Sequence, residues 1–356
     1  MRGCDALEMY VLDRTFSPIG VVDRYESTIW AQRYYEPGDF ELYFPEMLIP
    51  DVLRLFAVGN YIYRPTTNQT CIVEKVQLTY DAETGKHWVV SGRDLKSLLA
   101  RRVVWEQTVL SGDAGSEIQR LVSAQMISAS DASRNIASLA LAVPISVTGS
   151  IEKQITGDNL LDAVKEICQG FGWGYDIRLG PTDFTKMYFD IFEGEDLSSS
   201  VIFSENYGNL SGMEYILDET NYANVARVAG EGEGQDRTIV TVGDASGLDR
   251  YEMWVDARNV SSNDGAYPPS QYQRMLQNVG LDKLAESLPK EQVSGDLLPD
   301  VQWKFGVDYK LGDIVGVEGP YGIMGKTRVT EIIESDAADG HTVIPTFSEW
   351  ELVTND

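Results

Sequence analysis

Apolar and polar residues alternate through much of the first 94 positions, and at Asp94 the period changes. A period of two places every second side chain on one face of a strand, whereas Leu95, Leu98 and Leu99 share a face only on a helix. Ahead of the switch, "MYVLDRTFSPIGVVD" reads as two strands with a turn at Ser17-Pro18-Ile19-Gly20. "STIWAQRYYEPGDFELYFP" reads as a hairpin around Glu36-Pro37-Gly38-Asp39. "GNYIYRPT" and "TCIVEKVQLTYDAETGKHWVVSGRD" supply three more strands, the last two joined across Ala82 to Lys86. This many short strands with regular turn signals predicts a barrel or a sandwich.

Beyond the switch the texture is mixed. "SGDAGSEIQRLVSAQMI" predicts a capped amphipathic helix with Ile118, Leu121, Val122 and Met126 inward. "TGDNLLDAVKEICQGFGWGYDIRL" predicts a second, with Asp158 near its N-cap, Leu160, Leu161, Val164, Ile167 and Cys168 inward, and Gly170 as its stop. The strands "WGYDIRL" and "KMYFDIFEG" follow. From Val201 the chain is β again, with a hairpin turning at Gly232-Glu233-Gly234. A helix over roughly Pro269 to Leu288 then packs through Tyr272, Met275, Leu276, Val279 and Leu284, and three or four strands end the sequence. No low-complexity linker separates these parts, so the units pack tightly or interleave.

Charge narrows the partners. Of 356 residues, 29 are Lys or Arg and 55 are Asp or Glu, a formal net charge of −26. Residues 1–103 hold 12 basic against 14 acidic groups, and the remainder holds 17 against 41. Such an excess repels nucleic acid and anionic membrane from most of the surface. No apolar run reaches a membrane span and no signal-peptide core precedes the first strand, so cytoplasmic synthesis without a membrane anchor is expected. Cys4, Cys71 and Cys168 are odd in number, widely spaced and contain no CxxC pair, which argues against a disulfide framework or a thiolate metal site.

Motifs that suggest catalysis fail on context. "GPYGIMGKT" (Gly319 to Thr327) has Pro320 where a phosphate-binding loop needs its first glycine, and the alternating "RVTEIIE" follows where a helix should begin. "GFGWGY" lies between a helix and a strand, the reverse of a dinucleotide fingerprint. The two histidines, His87 and His341, have no nucleophile or metal motif around them, although His341 has Asp336 and Asp339 nearby. No cofactor and no catalytic residue is assigned, and no enzyme is expected.

Four phrases occur in a particular order: "STIWAQRYYEPGDFELYFP", "VSGRDLKSLLARRVV", "LDETNYANVARVAGEGEG" and "DYKLGDIVGVEGPYGIMGKTRVTEIIE". In that order the chain resembles the siphophage tail-hub proteins, the Gp37-like baseplate-hub structural family, over nearly its whole length. The resemblance implies a mainly β fold with α+β parts: two β-barrel tube domains and two smaller α+β outer domains. Residues 1–103 would form the first tube domain and 104–200 an outer domain. Residues 201–232 with 300–356 would form the second tube domain, interrupted by a helix-containing outer insert at 233–299. It also implies a homotrimer whose pseudo-sixfold ring continues the tail tube at the virion's tail tip. That ring would gate the DNA channel and anchor a distal tail protein, the tape measure protein and fibre or receptor-binding proteins, while DNA passes without specific binding. Some hub proteins continue into long C-terminal extensions with peptidoglycan hydrolases, and the absence of one here lowers the expectation of lytic activity. A contractile or bacteriocin-like injection machine, and a tail-associated cell-wall hydrolase, are the competing readings.

The residues at the period switch acquire a role from that layout. Arg93, Asp94, Lys96, Arg101 and Arg102 crowd into ten positions of an acidic chain. Read alone they suggest a nucleic-acid contact. At the exit of a first barrel they are better read as a domain or subunit junction. There Leu95, Leu98 and Leu99 cap the core, and the arginines hold acidic groups in bidentate geometry.

Overall fold

The computed structural model describes residues 8–83, 85–143, 147–180, 184–209, 211–296, 302–319, 324–338 and 340–352. Cys4, Asp339 and the middle of the Gly319–Thr327 stretch lie outside the described residues, and Gly325, Lys326 and Thr327 belong to a strand. The chain is mainly β, 42% strand against 21% helix. In order the first elements are β1 (Met9–Leu12), β2 (Pro18–Val22), β3 (Ser27–Arg33), β4 (Asp39–Pro45), α1 (Val52–Leu55), β5 (Tyr61–Arg64), β6 (Gln69–Asp81) and β7 (Gly85–Asp94). A 3₁₀ segment, Leu95–Arg101, leads out of β7. The turn between β1 and β2 falls earlier than the sequence suggests. Asp13 Oδ1 accepts hydrogen bonds from the Thr15 and Ser17 amides, Phe16 takes a left-handed conformation, and Pro18 opens an edge strand where its missing N–H costs nothing.

The middle of the chain supplies β8 (Thr108–Asp113), α2 (Ala114–Met126), β9 (Leu139–Leu141), β10 (Ser150–Ile155), α3 (Leu160–Phe171), β11 (Gly174–Leu179) and β12 (Met187–Phe192). Asp113 and Asn159 cap the two helices, each accepting a backbone N–H in the first turn. The second helix stops at Gly172, not Gly170, because only Gly172 takes the left-handed conformation (φ 71°) that closes the last turn. All the inward positions expected on α2 and α3 are buried. They join Leu95, Leu98 and Leu99, as well as Leu12 and Ile72 of the first sheet, in one core. Then come β13 (Ile202–Ser204), β14 (Ser211–Asp218), β15 (Val225–Ala229), β16 (Ile239–Val242), β17 (Glu252–Asp256), α4 (Pro269–Glu286), β18 (Lys290–Asp296), β19 (Ile314–Glu318), β20 (Met324–Ala337) and β21 (Gly340–Leu352). The order β16-β15-β17 forms a small sheet under α4, sealed by Tyr272, Met275 and Leu276.

Thirteen strands from both ends of the sequence form one sheet, ordered β14-β18-β21-β20-β3-β4-β7-β6-β5-β1-β2, with β19 and β13 branching from β20. Its path does not close into a barrel among the described residues. The path contains the same arrangement twice. In β3-β4-β7-β6-β5 and in β14-β18-β21-β20-β19, a short antiparallel pair abuts a long hairpin, whose far strand carries a short partner; the first pair is a hairpin, and the second encloses β15–β17 and α4. The registers repeat as well. A bulge follows Val73, eight residues before the hairpin end Asp81, and another follows Val329, eight before the hairpin end Ala337. The short partners begin opposite Ile72 and Arg328, nine residues before those same ends. The two repeats are joined by antiparallel pairing of β3 with the second half of β20, Glu331↔Arg33 through Ala337↔Ser27.

Candidate functional site

Asp94 ends β7, and its carboxylate organises the segment beyond it. Oδ1 accepts the Lys96 amide at 3.0 Å and Oδ2 the Gly38 amide at 2.7 Å, so one side chain caps the 3₁₀ segment and ties it to the tip of the β3–β4 hairpin. Burial pushes its pKa up to about 6; the nearby Lys96 ammonium and the two amides act against the rise, and Asp176 adds to it. Lys96 is buried. Its ammonium lies 3.6 Å from Asp94 Oδ2, donates to the Arg33 carbonyl and sits 5.8 Å from the centre of the Tyr175 ring.

The remaining cations of the segment divide. Arg93 grips Glu74 with two hydrogen bonds of 2.8 and 3.0 Å, and Arg101 approaches the same carboxylate at 3.9 Å. Arg102 turns the other way and donates to the Arg134 carbonyl at 2.8 and 3.1 Å, not to an acid. Burial, then the neighbouring Arg134 and Arg101 charges, lower its pKa. Arg134 in turn donates to the Val103 carbonyl and lies 4.1 Å above the exposed Trp105 ring. The five residues thus form two clusters and a backbone clamp around the exit from the first sheet, with Leu95, Leu98 and Leu99 buried beneath.

The side chain that binds most parts together is one the sequence did not single out. Tyr34, fully buried after β3, donates from its hydroxyl to the carbonyls of Gly172 and Phe192 at 3.2 and 3.3 Å. Its amide donates to the Thr330 carbonyl of β20, and the Arg328 guanidinium lies 5.3 Å from its ring. Gly174 and Gly312 press against that ring so closely that a Cβ at either would lie 2.3 or 2.2 Å from it. Tyr175 donates to the Tyr35 carbonyl at 2.5 Å, and Lys165 pairs with Glu36. A cleft of about 670 Å³ opens beside this joint, lined by Arg33, Thr70, Asp94, Lys96, Arg178 and Lys310 among others.

The β3–β20 junction carries a dense polar network. Arg64 and Glu334, with side chains only 4% and 6% exposed, pair at 2.5 Å, and Gln32 donates to the other Glu334 oxygen at 3.1 Å. Arg33 bridges Glu331 (2.6 Å) and Asp39 (2.5 Å), and Tyr25 donates to Asp336. His341 reaches within 4.0 Å of Glu334, while His87 stacks on Tyr43 and approaches Glu26 at 3.3 Å. Among the described residues no three His, Cys, Asp or Glu side chains converge as metal ligands, and no helix is long and apolar enough to cross a membrane. The arrangement holds separate units of one chain in fixed register.

Three solved structures share this architecture. They are the tail protein from Neisseria meningitidis MC58 (TM-score 0.58, 14% identity, 96% of each chain covered), the 43 kDa tail protein of prophage MuSo2 from Shewanella oneidensis (0.58, 11%, 96% of this chain and 98% of that one), and the prophage tail protein gp18 from Listeria monocytogenes EGD-e (0.56, 11%, 95% and 94%). The fold is therefore that of phage tail proteins. Residues 8–347 match the family described as Siphovirus ReqiPepy6 Gp37-like protein, and the chain belongs to it. No curated protein matches the sequence.

Proposed function

We propose that this tail protein is the hub at the distal end of a long non-contractile tail. Three copies form a ring that continues the tail tube, gates the DNA channel and anchors the distal tail protein, the tape measure protein and fibre or receptor-binding proteins. The observation that carries the reading is the repeated strand arrangement joined at β3–β20. One chain supplies two similar units side by side, so three chains supply six, matching the pseudo-sixfold symmetry of a tube. The repeats are the tube domains, and the units built on α2–α3 and on α4 face outward. Charge fits the role: a conduit of the same sign as DNA lets phosphates pass without contacts that would arrest them. The role is structural, with no catalytic residue.

Light scattering on the purified chain, alone and with its distal tail protein, tests this. The expected mass is three times 39.6 kDa, about 119 kDa, with rings in negative stain and immunogold label at the tail tip. A chain that stays monomeric under both conditions, or label along the tail shaft, rejects the hub reading.

A further inference from the structure

The internal joint predicts the joint between copies. In the second repeat, the far half of the long hairpin strand β20 is covered by β3. In the first repeat, the equivalent half of β6, Lys75–Asp81, pairs with β7, and no strand covers its other side among the described residues. The strand equivalent to β3 is β14, whose one neighbour among the described residues is β18. Each chain therefore ends its two-repeat run with one open edge of each kind. Both edges are apolar in the open: Leu78 is 44% and Tyr80 75% exposed on β6, and Tyr215 is 37% and Leu217 54% exposed on β14. At the far end of the sheet, β2 is short and begins with proline, the usual protection of an edge. β14 has eight residues and no proline.

We infer that β14 of one copy pairs antiparallel with Lys75–Asp81 of the next, repeating the β3–β20 seam; this rests on the ring reading above. The register follows from the repeat. Counting from the hairpin ends, Lys75, Val76 and Leu78 stand where Glu331, Ile332 and Glu334 stand. On the other strand, Ser294 faces Thr346 as Glu41 faces Ser91, and Glu214 faces Ser294 as Ile29 faces Glu41. Tyr215, Leu217 and Asp218 therefore take the places of Trp30, Gln32 and Arg33. Transferring the observed pairs Glu331↔Arg33, Ile332↔Gln32 and Glu334↔Trp30 puts Lys75 opposite Asp218, Val76 opposite Leu217, and Leu78 opposite Tyr215 of the neighbouring copy. The ion pair Arg33–Glu331 of the internal seam returns with its signs exchanged, and two apolar pairs meet beside it. The contact is head to tail, so it closes into a ring of three only when the rotation from one copy to the next is a third of a full turn without rise; otherwise it would build an open helix.

Cysteine trapping tests the register. In a chain with Cys4→Ser, Leu78→Cys with Tyr215→Cys should form covalent dimers and trimers on mild oxidation, seen on non-reducing gels. The misregistered pair Tyr80→Cys with Leu217→Cys should form few or none. Separately, with the monomer melting temperature read alongside because the Asp218 carboxylate accepts a hydrogen bond from the Thr220 amide, Lys75→Asp and Asp218→Lys should each weaken trimerisation several-fold. Their combination should restore it. Trimers that form in solution but give no Leu78–Tyr215 crosslink, and that ignore both charge reversals, overturn the seam and leave the ring reading standing. Monomers at every concentration with no crosslink overturn both.

Discussion

Removing Glu334 should damage the fold more than any surface charge change, because it strands a buried cation. In Glu334→Ala the Arg64 side chain, 4% exposed, loses its counter-ion, and its Nε and Nη1 have no hydrogen-bond partner to compensate. Breaking one side of a buried pair costs about 3–5 kcal/mol. That is a large share of the roughly 5–15 kcal/mol that holds a typical domain together. At ~2 °C per kcal/mol for a chain this large, the melting midpoint should fall by about 6–10 °C. Replacing both members with apolar residues removes the stranded charge as well as the attraction. Arg64→Met with Glu334→Leu should therefore melt close to the unmodified protein. Calorimetry and circular dichroism on the single and double variants make the comparison. A single variant within about 1 kcal/mol of the parent, or a double variant as unstable as the single, would refute the reasoning that the pair is fully desolvated.

Two further outcomes follow from the joint. Asp94 has its folded pKa raised to about 6 from an ordinary value of about 3.9, so its stabilising contribution is present below pH ~4 and lost as pH rises through ~6, an upper bound of about 3 kcal/mol that partial exposure reduces. Asp94→Asn should accordingly gain stability relative to the parent as pH rises from 4 to 7 in thermal melts, and a difference independent of pH would sink the assignment. Gly312→Ala places a methyl against the Tyr34 ring at a left-handed position (φ 96°), so a loss of about 1–3 kcal/mol is expected; an unchanged melting curve would show that the ring is not held there.

Local structure was legible where periodicity and capping agree. The β3–β4 hairpin, the inward faces of α2 and α3 and the span of α4 all follow from residue spacing. The first turn was misplaced because Pro18 and Gly20 look like turn residues, while the bend is set by the Asp13 side chain. The joint was half visible. Clustered basic residues marked the exit from the first sheet, but nothing near Arg102 in sequence signals that it clamps a carbonyl 32 residues away. Tyr34 and the Arg64–Glu334 pair, 270 residues apart, depend on partners that only the folded sheet brings together. Two tube domains were expected from the family resemblance alone; residue patterning could not reveal the repeat, because it is preserved in strand order, bulge position and register, not in residue type. Lys75 answers to Glu331, and Leu78 to Glu334.

That difference in residue type has a physical logic. The internal seam joins strands of one chain, so no translational or rotational freedom is lost in bringing them together, and the effective concentration is set by the intervening chain. Such a seam tolerates the desolvation of Arg64 and Glu334, and in exchange the pair restricts the register, since a slip of one residue would send Glu334 to the opposite face. A seam between copies must first offset the cost of association, which polar pairing does poorly. In the seam proposed between copies, the equivalent positions on β6 and β14 would set Leu78 against Tyr215 and Val76 against Leu217, with one ion pair, Lys75 with Asp218, to fix register. In that arrangement polar chemistry sits where connectivity already guarantees contact, and apolar area sits where contact would have to be won from solution.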